Sequence, residues 1–107
     1  VTEFEARYKR IPSMFAAQSY DAAQLLDVAI ANVKGNIADK PAFAKALKGA
    51  QFESVRGGFK FGNNNFPVQD FRVQQVAKDD RGRVNLKTVA TPLRMEPDSY
   101  HTQCPMK

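Results

Sequence analysis

The sequence predicts an α/β architecture in which three helices precede a glycine-bent strand and a β-hairpin. Three observations carry this reading. Apolar residues recur at close to helical spacing over residues 14–33. Gly57-Gly58 then interrupts an aromatic-rich stretch, residues 52–61, in which the helical period has lapsed. Finally, alternating runs over residues 68–77 and 84–90 flank Lys78-Asp79-Asp80-Arg81-Gly82, a hairpin turn with glycine at its end.

Each element has its own local justification. Over residues 2–9, Phe4 and Tyr8 share one helical face among charged neighbours, and Pro12 ends or breaks that helix. Ser13 stands where an N-cap belongs. Phe15, Tyr20, Ala23, Leu26, Ile30 and Val33 form the main stripe of the second helix. Ala16, Ala17, Ala22, Leu25 and Ala29 widen that stripe until little polar surface remains, so the helix requires cover on more than one side. Lys34-Gly35 supplies a cation for the last carbonyls and a glycine to turn the chain. In the third helix Asp39 is the expected N-cap, Pro41 lies near the first turn, and Phe43, Ala46 and Leu47 make the buried stripe before Gly49. Gly62-Asn63-Asn64-Asn65 is a turn of residues that tolerate positive φ. In the first hairpin strand Phe71, Val73 and Val76 alternate, with a register slip expected at Gln74-Gln75. Residues 92–107 contain three prolines and no clear period.

Composition limits the function classes. The chain has 107 residues, enough for one small domain, and is 43% hydrophobic and 25% charged, which argues against wholesale disorder. No apolar run approaches the roughly 18 residues a membrane-spanning helix needs. The single cysteine, Cys104, excludes an internal disulfide and a cysteine-built zinc site, and the single histidine, His101, leaves little for acid–base work near neutral pH. The net charge of +5 raises nucleic-acid binding. Seven Lys/Arg oppose six Asp/Glu in residues 1–54, and nine oppose five in 55–107, but the basic residues are scattered and Asp79-Asp80 sits among them. Solvated surface charge on a basic exported protein is the favoured reading. The chain opens at Val1 with no cationic-then-apolar leader, as expected of a processed product or of a piece of something longer. As a complete domain it is awkward, since its principal helix wants cover on two sides and few elements remain to give it.

Four segments together resemble one family. Glu3 to Ser13 resembles the "F…Y…-x-P-S" segment of type I periplasmic solute-binding proteins of ABC transporters, the branched-chain amino-acid-binding or extracellular ligand-binding receptor class. Phe15 to Leu26 is similar to that family's "A-x-x-x-Y-D-A-x-x-x-L" helix, and Ala50 to Phe61 to its "F-x-s-v-x-G-x-x-x-F" strand. Phe66-Pro67-Val68-Gln69-Asp70-Phe71 resembles the segment leading into its late hairpin. The resemblance runs through nearly the whole chain, in order, and is to the carboxy-terminal portion of the family only. It implies a fragment of a two-lobed binding protein that encloses a small ligand by lobe closure. Residues 1–12 are then the end of a preceding helix, 13–66 part of one lobe, 67–93 a hinge-crossing hairpin and 94–107 a tail.

Phe15 is the leading candidate for ligand binding, because the family places an aromatic at the cleft end of this helix, where it offers apolar area and a flat face. Met14 is a weaker neighbour, and Gln18 and Ser19 lie on the first turns, where they can bond a ligand or backbone, although local helix polarity is the favoured reading of both. Tyr20 and Asp21 read as structural: Tyr20 on the buried stripe with its hydroxyl satisfied, Asp21 near the positive end of the helix. Ser19, Asp21 and His101 supply the letters of a catalytic triad without its spacing or a nucleophile elbow, so the protein is not expected to be an enzyme. Gly57, Gly58 and Gly62 lack phosphate-loop spacing, and Asp79-Asp80 offers too few oxygens for calcium, so no metal or cofactor is expected. The fragment reading implies a disulfide from Cys104 to a cysteine outside this sequence.

The expected function is the substrate-binding component of an ABC transporter. It captures an amino acid or a small carboxylate or aromatic acid in the periplasm and delivers it to permease subunits. The alternative is a stand-alone basic domain that binds nucleic acid through residues 56–94. The first reading expects uncovered apolar surface on the 14–33 helix and self-association or segment swapping of the fragment; the second expects a closed monomeric core.

Overall fold

The computed structural model describes residues 1–106. Three helices, α1 (Thr2–Tyr8), α2 (Met14–Asn32) and α3 (Lys40–Gly49), precede three strands, β1 (Phe59–Phe61), β2 (Pro67–Lys78) and β3 (Val84–Glu96). The strands form one antiparallel sheet in the order β1-β2-β3.

The helix ends follow from the residues that stand there. Ser13 is the N-cap of α2, its hydroxyl accepting from the Ala16 N–H at 3.4 Å. At the other end Lys34 and Gly35 take positive φ, 51° and 80°, and the Gly35 N–H reaches back to the Ile30 carbonyl at 2.9 Å. Asp39 caps α3 by accepting from the Ala42 N–H at 3.1 Å. α2 packs on α3, which in turn lies against β1. Behind β1 the rings of Phe52 and Phe61 each lie 5.2 Å from that of Phe59.

The strand turns are fastened by side chains. Asn64, buried, accepts from the Phe66 N–H at 3.2 Å and donates to Asp98 at 2.8 Å. This ties the β1–β2 turn to the tail, which also returns to Asn63 through the Met106 N–H. In the β2–β3 turn Asp79 accepts from the backbone N–H groups of Arg81 and Arg83 and from the Arg83 side chain. The bonds from Arg83 hold the Asp79 carboxyl below its usual range. Arg81 and Arg83 also reach Glu5 of α1, each at 3.3 Å.

Several sequence expectations need correction. Of the bent stretch 52–61 only Phe59–Phe61 is strand, since the Gly57 backbone at φ 108° turns the chain out of extended geometry just before it. Pairing is regular from Gln74↔Thr88 to Lys78↔Val84, and the register shifts fall earlier, between Gln69 and Gln74. β3 runs on through Pro92 to Glu96, which proline permits because an edge strand has one side needing no donor. Tyr20 is exposed, because α2 turns the neighbouring Asp21 inward instead.

The interior is thin. Ala29, Ala50 and Val68 are the hydrophobic residues fully buried among those described. The Cα radius of gyration is 16.8 Å, against about 13 Å for a compact domain of this length. α2 buries Asp21 and Ala29 on one side, while Phe15, Leu26 and Ile30 on the other are exposed at 69%, 46% and 40%. The uncovered apolar surface expected of this helix is present, and the closed core expected of an independent basic domain is not.

Candidate functional site

The site is built around one buried carboxylate. Asp21, in the second turn of α2, is 3% exposed. One oxygen accepts from the Ser54 hydroxyl at 2.6 Å and from Arg56 Nε at 2.8 Å, and the other from the Val55 N–H at 3.0 Å. Burial pushes this carboxyl up, but the bonds from Ser54, Arg56 and Val55 outweigh it and leave the group below its ordinary value. An irregular turn, residues 54–58, is thereby fixed to the side of a helix.

Arg56 carries the link onward. Its Nη1 donates to Gln69 at 3.3 Å, where β2 begins to shift register, and its carbonyl accepts from Arg72 Nη2 at 2.6 Å. Gly57 follows at φ 108°, and a Cβ there would lie 2.9 Å from that same Arg72 nitrogen. Glycine is thus required twice, by the backbone and by the guanidinium beside it. Gly57→Ala is expected to lower stability by about 1–2 kcal/mol, read from the urea midpoint of the full-length protein. On the far side of Asp70 from this turn, one carboxylate oxygen accepts from the Met95 N–H at 3.0 Å, holding β3 where its backbone takes φ 48°.

Ser54, Val55, Arg56, Gln69, Asp70 and Arg72 border a cavity of about 1050 Å³. α1 contributes Phe4 and Tyr8, α2 contributes Met14 and Gln18, and the 54–58 turn and β2 contribute Arg56 and Arg72. The lining is mixed, with Phe4, Tyr8 and Met14 as its apolar part, three guanidinium groups from Arg7, Arg56 and Arg72, and the carboxylates of Glu3 and Asp70; apolar surface with an excess of cations suits a small solute with an apolar body and an anionic end.

The structure brings together two of the three sequence candidates. Met14 and Gln18 line the cavity, as does Ser19, whereas Phe15 lies on the exposed apolar face of α2 with Leu26 and Ile30. Asp21 is not near the helix start as a dipole partner but is the centre of the clamp. Its oxygens are occupied by Ser54, Val55 and Arg56, and His101 lies in the tail beside Asn63, so no triad forms. Cys104 is free and exposed. Sequence reasoning passed over Ser54, Arg56, Gln69 and Arg72. One signal was available: α2 carries two charged residues, Asp21 and Asp27, and no cation, so a carboxylate buried in so apolar a stretch calls for a distant partner.

Comparison with known proteins bears on the fold as a whole. The family model described as "Periplasmic binding protein" matches residues 1–81. A solute-binding protein of an ABC transporter from R. palustris, solved in complex with benzoate, superposes with a TM-score of 0.72 at 37% identity, over 86% of this chain and 25% of that one. An ABC transporter substrate-binding protein from Sphaerobacter thermophilus superposes with a TM-score of 0.79 at 23% identity, over 90% and 26%, and shares the fold. The chain therefore spans about a quarter of the length of these structures. No curated protein matches the sequence. No described helix is long and apolar enough to cross a membrane.

Proposed function

Since the chain belongs to the periplasmic binding protein family, we propose that it is part of the substrate-binding component of an ABC transporter, which encloses a small aromatic acid between two lobes. The observation that carries this is the 37% identity, over 86% of the chain, to a solute-binding protein in complex with benzoate. The role is one of capture and delivery to permease subunits in the periplasm, with no chemical step, and it calls for no cofactor. Affinity arises from desolvating the solute between preformed surfaces, with closure adding contacts that one lobe alone does not make.

In this reading residues 13–66 belong to one lobe and residues 67–93 cross the hinge. The crossing is supported by the register shifts crowded between Gln69 and Gln74, where paired strands bend most easily. Met14 and Gln18 approach the solute from the first turns of α2, and exposed Phe15 offers its ring from the same helix end. Calorimetric titration of the full-length protein with benzoate and with L-leucine tests the assignment. Tighter binding of benzoate supports an aromatic acid; preference for leucine moves the solute to the amino acids; binding of neither overturns the reading. Phe15→Ala is expected to weaken binding of the preferred solute about 10-fold, the loss of one aromatic contact. Cys104 is proposed to pair with a cysteine beyond these residues, and a mass shift on alkylating the unreduced full-length protein would show instead a free thiol.

A further inference from the structure

We propose that Arg72, on the hinge-side strand β2, is the group that takes the solute's carboxylate. The inference rests on the reading of the cavity as a solute site and adds to it the residue that selects for negative charge. Three guanidinium groups border the cavity, from Arg7, Arg56 and Arg72. They are not equivalent. Arg56 is already neutralised by buried Asp21 at 2.8 Å, with a further bond to Gln69. Arg7 lies over its neighbour Tyr8, 5.6 Å from the ring centroid, on the outer helix α1.

Arg72 is held without being neutralised. Its Nη2 donates to the Arg56 carbonyl at 2.6 Å, and that carbonyl belongs to the turn anchored by Asp21. Among the described residues no carboxylate lies within ion-pair distance of Arg72; Asp70 on the same strand bonds the Met95 N–H through one oxygen, and its other oxygen faces Gly57 near the Arg72 guanidinium without pairing with it. A guanidinium carries five donors, so fixing one of them leaves the planar fork oriented and most of its hydrogen-bonding capacity open. Gly57 completes the arrangement, because any side chain there would stand against the guanidinium on the side of the turn. A preoriented fork without an ion-pair partner, in a cavity that Met14 and Phe4 also line, suits a planar carboxylate attached to an apolar ring, which accepts two parallel N–H bonds.

The test is calorimetric titration of the full-length protein, as wild type, Arg72→Gln and Arg72→Lys, with benzoate and with its neutral isostere benzamide. The melting temperature of each solute-free variant is measured alongside to confirm folding. Arg72→Gln is expected to weaken benzoate binding by about 10- to 100-fold, the range for a charge-assisted bond, while changing benzamide binding less than about 3-fold. Arg72→Lys is expected to recover part of the benzoate loss, since it keeps the charge but not the fork. Unchanged benzoate binding in a folded Arg72→Gln protein overturns the role of Arg72 and leaves the solute reading standing. Equal loss for benzoate and benzamide also overturns it, by showing a packing effect rather than charge recognition. A wild-type protein that binds neither benzoate nor any other carboxylate offered overturns both together.

Discussion

Replacing Asp21 with alanine is expected to lower the stability of the full-length protein by about 3–5 kcal/mol, the cost of leaving a buried ion pair half empty. The substitution strands three donors at once: the Ser54 hydroxyl, the Val55 N–H and Arg56 Nε. Asparagine is expected to be little better. It keeps an acceptor for Val55, but its amide must then point N–H groups at Ser54 and Arg56. Denaturant unfolding of the two variants and of Arg56→Ala, combined in a double-mutant cycle, should give a coupling of about 1–3 kcal/mol between positions 21 and 56. Additive effects would show that the two side chains contribute independently, against the geometry. The pH dependence has a definite sign. Asp21 titrates below its ordinary value when folded, so its contribution is fully present above the unfolded pKa of 3.8 and is lost as pH falls through the folded value. The urea midpoint should therefore decline below about pH 4 in the wild type, and Asp21→Asn should lack that part of the decline.

The clamp also shows which parts of this molecule could be read from the chain. The helices were legible because their determinants are local: Ser13 and Asp39 cap from three residues away, and Gly35 closes α2 through its own backbone freedom. The hairpin was legible for the same reason, its turn being written in Asp79, Gly82 and the alternation around them. The site was less so. Ser54 and Arg56 meet Asp21 across more than thirty residues, and nothing local to either segment requires the other. On α2 the periodicity does not tell which side is buried here. The periodic stripe through Tyr20, Leu26 and Ile30 contains the larger apolar residues, yet this chain buries the side bearing Asp21 and Ala29. Burial of that side is decided by the partners available, here α3 and the 54–58 turn, and by a carboxylate that must reach its donors. β3 ran past Pro92 for a comparable reason, since only its place at the sheet edge makes a proline admissible there.

The unburied side of α2 leads to the second large effect. Leu26→Asp is expected to destabilise the full-length protein by about 3–4 kcal/mol, although Leu26 is half exposed in this chain. Leu26 and Ile30 line one side of a helix whose other side is already packed, and apolar area of that kind is costly to leave in water at about 25 cal/mol per Å². The relatives are about three and a half times as long as this chain by the shares covered, and we propose that the additional sequence of the full-length protein covers this face. The same substitution should act in the opposite sense on the 107-residue chain alone. There the face has only other copies to bury itself against, and self-association through it is part of the proposal. Sedimentation velocity should then show the wild-type chain associating with rising concentration and Leu26→Asp shifted toward monomer. A full-length protein indifferent to Leu26→Asp would mean that the face stays in water. A short chain that stays monomeric as wild type would overturn the self-association, and a Leu26→Asp chain that still associates would locate it at the unpaired edge of β3 instead. Introducing a charge thus separates the two surfaces, because Leu26 lies on the helix and takes no part in strand pairing.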